Sequence, residues 1–237
     1  MQKIFSQELR FKADDGSEFP EWDEKKLGEI AKFSKGKGIS KAEIDVNGAI
    51  ECIRYGELYT IYGETINVVS SRTNNKPKDL VFSESNDVII PASGETQLGI
   101  ATASCVLRSG IALGGDLNII RSNNNGVYLS YYLNNRKKLE IAALSQGISV
   151  VHLYSSQLSL LDLKLPSLPE QQKIASFLTT VDDKLQALKR KKSLLEQYKK
   201  GVMQKIFSQE LRFRDDNGSE YPEWEEKTGG ELFESIS

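Results

Sequence analysis

Ser167-Leu-Pro-Glu-Gln-Gln-Lys-Ile-Ala-Ser-Phe-Leu178 opens the longest regular segment of the chain. Ser167 is a residue type that caps helices, Pro169 suits a first turn, and Glu170 stands at the third helical position: a capping-box pattern. From there a 4-3-4-3 spacing picks out Ile174, Leu178, Val181, Leu185, Leu188, Lys192, Leu195, Lys199, Val202 and Ile206, eight of the ten apolar. No proline follows until Pro222, and Gly201 is the single weak point. The spacing predicts a helix over about 169–208, which at roughly 1.5 Å per residue would run about 60 Å. A small domain is only about 30 Å across, so the seam calls for another long helix or a partner protein. Lys192 and Lys199 weaken a tight seam in its second half, or reach outward along their alkyl stems. The competing reading is an ordinary amphipathic helix packed on its own domain.

The two ends carry a repeat. Met1-Gln-Lys-Ile-Phe-Ser-Gln-Glu-Leu-Arg-Phe11 recurs unchanged at Met203–Phe213, and Gly16-Ser-Glu-Phe-Pro-Glu-Trp22 returns as Gly218-Ser-Glu-Tyr-Pro-Glu-Trp224, at a constant offset of 202 residues. Gly230-Glu-Leu-Phe-Glu-Ser-Ile236 then resembles Gly28-Glu-Ile-Ala-Lys-Phe-Ser34. One period holds a globular segment and a helix, which reads as one unit of a tandem array. A duplicated sticky tail is the alternative. The expected parts are residues 1–20 (first repeat copy), 21–166 (globular), 167–210 (long helix) and 211–237 (start of a second unit).

The globular part reads as mixed α/β. Ala49–Tyr55, Asp87–Ile90 and Asp116–Arg121 have strand composition, with turn residues between them at Asn47-Gly48, Ser93-Gly94-Glu95 and Gly114-Gly115-Asp116. Residues 127–144 suit one helix, with Leu129, Tyr132, Leu133, Arg136 and Leu139 on one face.

Composition narrows the function classes. Of 237 residues, 31 are Lys or Arg and 33 Asp or Glu, a net charge of −2 that excludes a wholly basic nucleic-acid coat but leaves room for a local basic patch. Cys52, Cys105 and the lone His152 make no zinc framework. There is no Walker-type phosphate loop, and Gly36-Lys37-Gly38 reads as a turn. His152 lies among apolar neighbours and reads as a buried or half-buried structural histidine, with a direct DNA contact as the alternative. No nucleophile–base pair is spelled out, no cofactor is expected, and neither a signal peptide nor a membrane span is legible, so a cytoplasmic protein is expected.

What remains is binding. Lys25, Lys26, Lys32, Lys35, Lys37 and Lys41 crowd one short stretch, and such a patch holds phosphates by charge. Base reading needs amide, guanidinium or aromatic groups on shaped loops. Arg54, Tyr55, Tyr59 and Tyr62 supply these in one segment, Arg72, Asn74, Asn75 and Lys76 in a second, and Ser93, Thr96 and Gln97 in a third. The helix has its own basic run (Lys184, Lys189, Arg190, Lys191, Lys192, Lys199, Lys200 and Lys205), read as a solvated or partner-docking face ahead of a DNA contact.

An ordered set of motifs then points to a family: Trp22-Asp-Glu-Lys-Lys-Leu-Gly-Glu-Ile30, Ile53-Arg-Tyr-Gly-Glu57, Asp87-Val-Ile-Ile-Pro-Ala-Ser-Gly94, Gly147-Ile-Ser-Val-Val-His152, Leu163–Leu178 and Val181-Asp-Asp-Lys-Leu185. Over residues 20–210 the chain resembles the specificity subunit of type I restriction–modification systems. The resemblance implies a target-recognition domain that reads double-stranded DNA without catalysis. It also implies a long helix that docks an adenine methyltransferase subunit, and a motor-nuclease subunit that joins for cleavage. Family members pair two recognition domains through two antiparallel helices, whereas this chain has one of each. It is therefore a fragment, or a half-subunit that dimerises through Ile174, Leu178, Val181, Leu185, Leu188, Leu195, Val202 and Ile206. A coiled-coil or antirestriction protein that binds the methyltransferase without reading DNA is the alternative.

Overall fold

Asp87-Val-Ile-Ile-Pro91 is buried at every position, and its side chains divide by the two-residue period of a strand. Val88 and Ile90 enter one apolar cluster with Tyr128, Leu129 and Ile120, while Ile89 enters another with Val106, Leu117 and Ile119. A strand buried on both faces is the centre of a covered sheet. In the computed structural model, which describes residues 1–147 and 149–233, that sheet has five strands. Ile148 of the fourth family motif and residues 234–237 lie outside the described residues.

Among the described residues the strands are β1 (Asp23–Lys26), β2 (Ala31–Lys35), β3 (Ile50–Ile53), β4 (Thr65–Ile66), β5 (Ser71–Thr73), β6 (Asp87–Pro91), β7 (Ser93–Gly94), β8 (Ser104–Val106), β9 (Ala112–Leu113), β10 (Leu117–Ser122), β11 (Val151–His152) and β12 (Asp162–Leu165). The main sheet runs β2-β10-β6-β8-β4, antiparallel except for the β4–β8 pair. A second sheet, β5-β3-β9, and two ribbons, β1-β12 and β7-β11, complete the mixed α/β fold. The three strand segments expected from composition are β3, β6 and β10. Arg121 clamps the main sheet: its guanidinium donates to both oxygens of buried Asp87 at 2.8 and 2.7 Å, which raises the arginine pKa.

Residues 127–144 form two helices, Gly126–Asn135 and Lys138–Leu144, where one was expected. The first buries Tyr128, Leu129, Tyr131, Tyr132 and Leu133, more than a single stripe, and Leu139 is 74% exposed. The break at 136–137 lets Ile141 and Ala142 return to the core.

The chain divides into two compact units, Met1–Thr180 and Val181–Ser237. The expected boundaries at 20/21 and 166/167 both fall inside the first. Ile4, Phe5 and Trp22 of the first repeat copy lie in its core, and so do Ile174 and Leu178. Phe5 meets Tyr128 and Tyr132 edge-on at 6.0 and 5.4 Å, and Trp22 meets Tyr128 at 6.2 Å.

The long helix spans Leu168–Phe207, close to the predicted range, but its start is not built as the pattern suggested. The Ser167 hydroxyl has no hydrogen-bond partner among the described residues. Glu170 is fully buried and turned to other elements: Arg10 donates to it at 2.9 and 3.3 Å, and Trp22 Nε1 at 3.2 Å. The carboxylate that reads as a local cap is a long-range tie.

In the second unit the helix continues to Phe207, followed by the second repeat copy and a helical turn at Gly229–Leu232. A Cβ at Gly201 would meet nothing within 4 Å. Gly201→Ala is therefore expected to stabilise this helical half by about 0.5–1 kcal/mol, read as a higher melting midpoint of the helical signal in far-ultraviolet circular dichroism.

Candidate nucleic-acid interface

The strand register sets three chain ends side by side. Lys35 at the end of β2 pairs with Asn118, Asn118 pairs with Ile90, and Leu117 pairs with Pro91. Gly36-Lys37-Gly38 then turns against the β9–β10 loop. The Gly36 amide donates to Leu117 O at 3.0 Å, Lys37 N to Leu113 O at 2.9 Å, and Gly115 N to Gly38 O at 2.7 Å. The segment expected to be a turn is an irregular loop held by these long-range bonds, and Gly38 has φ +61°. A Cβ on Gly36 would fall 1.9 Å from the Gly114 carbonyl oxygen. Gly36→Ala is expected to force the two loops apart and to cost about 1–3 kcal/mol, measured by thermal melting.

The same edge receives a third loop. Ala92 N donates to Asp116 O at 2.7 Å and Leu153 N to Ala92 O at 3.0 Å. Buried Asn118 donates through Nδ2 to Leu153 O and accepts from Ser155 Oγ, each at 2.9 Å. These bonds bring Tyr154 beneath Lys35, whose Nζ lies 5.8 Å from the ring centroid. His152 is exposed and stacks with Tyr154 at 6.3 Å, which corrects the buried reading: β11 turns Val151 inward and, by the strand period, His152 outward.

Beside this edge lies a cleft of about 620 Å³, lined by Tyr55, Tyr59, Gly94, Glu95, Thr96 and Val150 among others. Tyr59 donates its hydroxyl to Ser93 O at 2.9 Å and meets Tyr55 edge-on at 6.3 Å. Burial, then neighbouring Tyr55, Asp116 and Glu95, push the Tyr59 pKa up, so it stays a neutral donor. Thr96 caps the turn Gln97–Ile100, its Oγ1 accepting from Gly99 N at 3.0 Å. Glu57, buried, accepts from Arg54 N at 3.1 Å and Ser71 Oγ at 2.5 Å, fixing the bend that presents Arg54 and Tyr55.

Apart from Tyr62, which packs against the second apolar cluster, the sequence candidates thus fall into two groups. Lys35 and Lys37 stand at the sheet edge, Tyr55, Tyr59, Ser93 and Thr96 line the cleft, and Arg54 and Gln97 are chain neighbours of its lining residues. Of these, Lys37 and Gln97 are exposed and have no side-chain hydrogen bond or ion pair among the described residues. Arg72 lies in β5, Asn74, Asn75 and Lys76 follow it, and Lys41 opens a helical turn ahead of β3. Several side chains picked as reading groups are already used within the fold. Arg72 donates to Gly48 O and Ala49 O at 2.5 and 3.1 Å. Asn74 bridges Ala49 N and Asp45 at 3.0 and 2.6 Å, and Asn75 donates to Glu43 at 2.8 Å. The Tyr62 hydroxyl accepts from Ser70 N at 2.9 Å, and Ser93 is buried. Sequence reading missed Glu57, Glu95, Asn118 and Tyr154. Asn118, a polar residue inside an apolar strand, was the one legible signal.

Chemically, the edge offers cations for phosphates, and the cleft beside it offers the Glu95 carboxylate, of the kind that meets base edges. Among the described residues no cluster of His, Cys, Asp and Glu could hold a metal ion, and no helix is long and apolar enough to cross a membrane. Burial raises the Cys52 thiol to about 11 and Cys105 to about 12, so both are protonated at neutral pH. Ellman's reagent at pH 8 is expected to leave both untouched in the folded protein and to titrate two thiols after denaturation.

Along the long helix, Ile174 and Leu178 are consumed by the core of the first unit and cannot serve a seam. In the second unit Val181 and Leu185 are each 46% exposed, and Leu188 and Leu195 each 56%. Val202 and Ile206 are intermediate.

A specificity subunit of the type I restriction enzyme MjaVIII from Methanocaldococcus jannaschii is 26% identical over 233 residues, covering 93% of this chain and 51% of that protein. The chain thus spans about half the length of the curated relative it matches. The crystal structure of a type I restriction–modification S subunit from M. genitalium matches with TM-score 0.57 at 17% identity, covering 88% of this chain and 49% of that one. An HsdS subunit from Thermoanaerobacter tengcongensis matches with TM-score 0.51 at 17% identity, covering 81% and 46%. These two likenesses show the fold. The family model described as the type I restriction modification DNA specificity domain matches residues 20–197, three-quarters of the sequence, and the chain belongs to that family.

Proposed function

We propose that this chain acts in the cytoplasm as the non-catalytic specificity subunit of a type I restriction–modification complex, its globular unit reading one half of a bipartite duplex DNA target. The observation that carries the reading is the meeting of Lys35, Lys37 and Tyr154 at one sheet edge, beside a cleft lined by Tyr55, Tyr59, Glu95 and Thr96, inside the segment that matches the family. Lysines there neutralise phosphates, and the carboxylate and hydroxyl groups of the cleft discriminate bases.

The exposed row Val181, Leu185, Leu188 and Leu195 supports docking of an adenine methyltransferase subunit, and antiparallel pairing with the helix of a second copy. A motor-nuclease subunit would join that assembly for cleavage. The test is selection from a random duplex pool by the chain bound to its methyltransferase, alongside the mass of that complex. Enrichment of a two-part symmetric sequence by a particle with two copies of each chain is expected. A pool without enrichment, together with a stable complex, would support the alternative of a methyltransferase-binding protein that does not read DNA.

A further inference from the structure

The two repeat copies share a hydrogen-bond frame as well as a sequence. Leu9 N donates to Lys3 O as Leu211 N does to Lys205 O, and Gly16 N to Ala13 O as Gly218 N does to Asp215 O. Gln7 and Gln209 have φ +63° and +61°, and Gly16 and Gly218 +85° and +81°. Arg10 Nη2 donates to Phe19 O and Pro20 O, and Arg212 Nη2 to Tyr221 O and Pro222 O. Each copy is therefore a preformed hairpin tied by its own arginine.

Their surroundings differ. Phe5 and Trp22 are each 5% exposed, held by Tyr128 and Tyr132, and Phe11 packs on Phe177 at 5.4 Å. Their counterparts Phe207, Trp224 and Phe213 are 68%, 52% and 67% exposed. The free side of the Arg10 guanidinium reaches buried Glu170, whereas Arg212 has no carboxylate within ion-pair distance among the described residues. The second copy has the shape, the aromatic pair and the cation of the first, and among the described residues it has no socket that receives them.

We propose that residues 203–224 form a plug for the socket built by Glu170, Tyr128, Tyr132 and Phe177 on a second copy of this chain. The occupant is identified by identity: a socket that seats Met1–Phe11 meets the same eleven residues in Met203–Phe213. Because the hairpin is already folded, little ordering entropy opposes docking. Each socket is filled by its own first copy, whose effective concentration reaches roughly millimolar, so exchange between copies grows when that first copy is weakened.

Trp22→Phe does this, since it removes the indole donor to Glu170 and leaves Trp224 as the sole tryptophan. Its fluorescence is followed from micromolar to millimolar protein. The expected result is a shift to shorter wavelength with concentration, as Trp224 enters a partner socket. Adding Arg212→Ala is expected to weaken that association at least about 100-fold, because it leaves the receiving carboxylate buried and unpaired. Emission that stays solvent-like throughout overturns the proposal. So does a shift that survives Arg212→Ala, which would mean that another surface buries Trp224. If Trp22→Phe does not fold, Phe5→Leu labelled with 5-fluorotryptophan gives the same readout from two fluorine resonances, the exposed one moving with concentration if the plug docks. DNA is absent from the measurement, so its outcome is separate from that of the DNA-reading proposal.

Discussion

Glu170→Ala is expected to lower the stability of the first unit by about 3–5 kcal/mol, the cost of stranding one member of a buried ion pair. At roughly 2–4 °C per kcal/mol for a chain of this size, the melting midpoint falls by about 10 °C. The magnitude separates two roles. If Glu170 acted as the capping residue its position suggests, its loss would cost about 1 kcal/mol. The structure instead gives it two bonds from Arg10 and one from Trp22, with no solvent exposure. Arg10→Ala alone should cost nearly as much, and the double variant much less than the sum, because both substitutions remove one tie. Thermal melts of the four chains decide it. A loss near 1 kcal/mol, or additive effects, would return Glu170 to the local role.

Lys35→Glu with Lys37→Glu is expected to weaken duplex DNA binding on the order of 100-fold at about 0.1 M salt, with the midpoint of thermal unfolding unchanged. Both side chains are exposed, Lys35 at the end of β2 and Lys37 on the loop after it, so the substitutions leave the core alone. If each lysine neutralises one phosphate, the slope of log affinity against log salt falls by about 2 in magnitude. Fluorescence anisotropy of labelled DNA at several salt concentrations measures both quantities. Unchanged affinity and slope would remove this edge from the interface and favour the methyltransferase-binding alternative. Arg72 does not belong in that experiment, although its sequence context invited it: its bonds to Gly48 O and Ala49 O make Arg72→Ala a test of folding.

The sequence was most legible where structure is local. The helix expected over 169–208 is Leu168–Phe207, and the runs around Cys52, Ile89 and Ile119 are strands. Spacing of three and four residues, or of two, records which face must be buried, and burial follows that spacing directly. The repeat and the α/β class were likewise written in neighbouring residues. The sequence could also bring together the family motifs, because their order along the chain needs no fold to be seen.

What only the tertiary structure decided is where each polar or apolar group goes once its element exists. Ile174 and Leu195 occupy the same periodic seam, yet one is buried in a core and the other is 56% exposed. Phe5 and Phe207 sit in identical sequences, yet one has a socket. Asn74 and Gln97 are both loop amides, yet Asn74 is bonded to Asp45, 29 residues away, and Gln97 is not engaged among the described residues. Glu170 finds its partner 160 residues back along the chain. Residue type and spacing determine what a side chain is able to do within a turn or two of itself. Which of those abilities is used depends on the atoms that chain folding brings within about 3 Å of it.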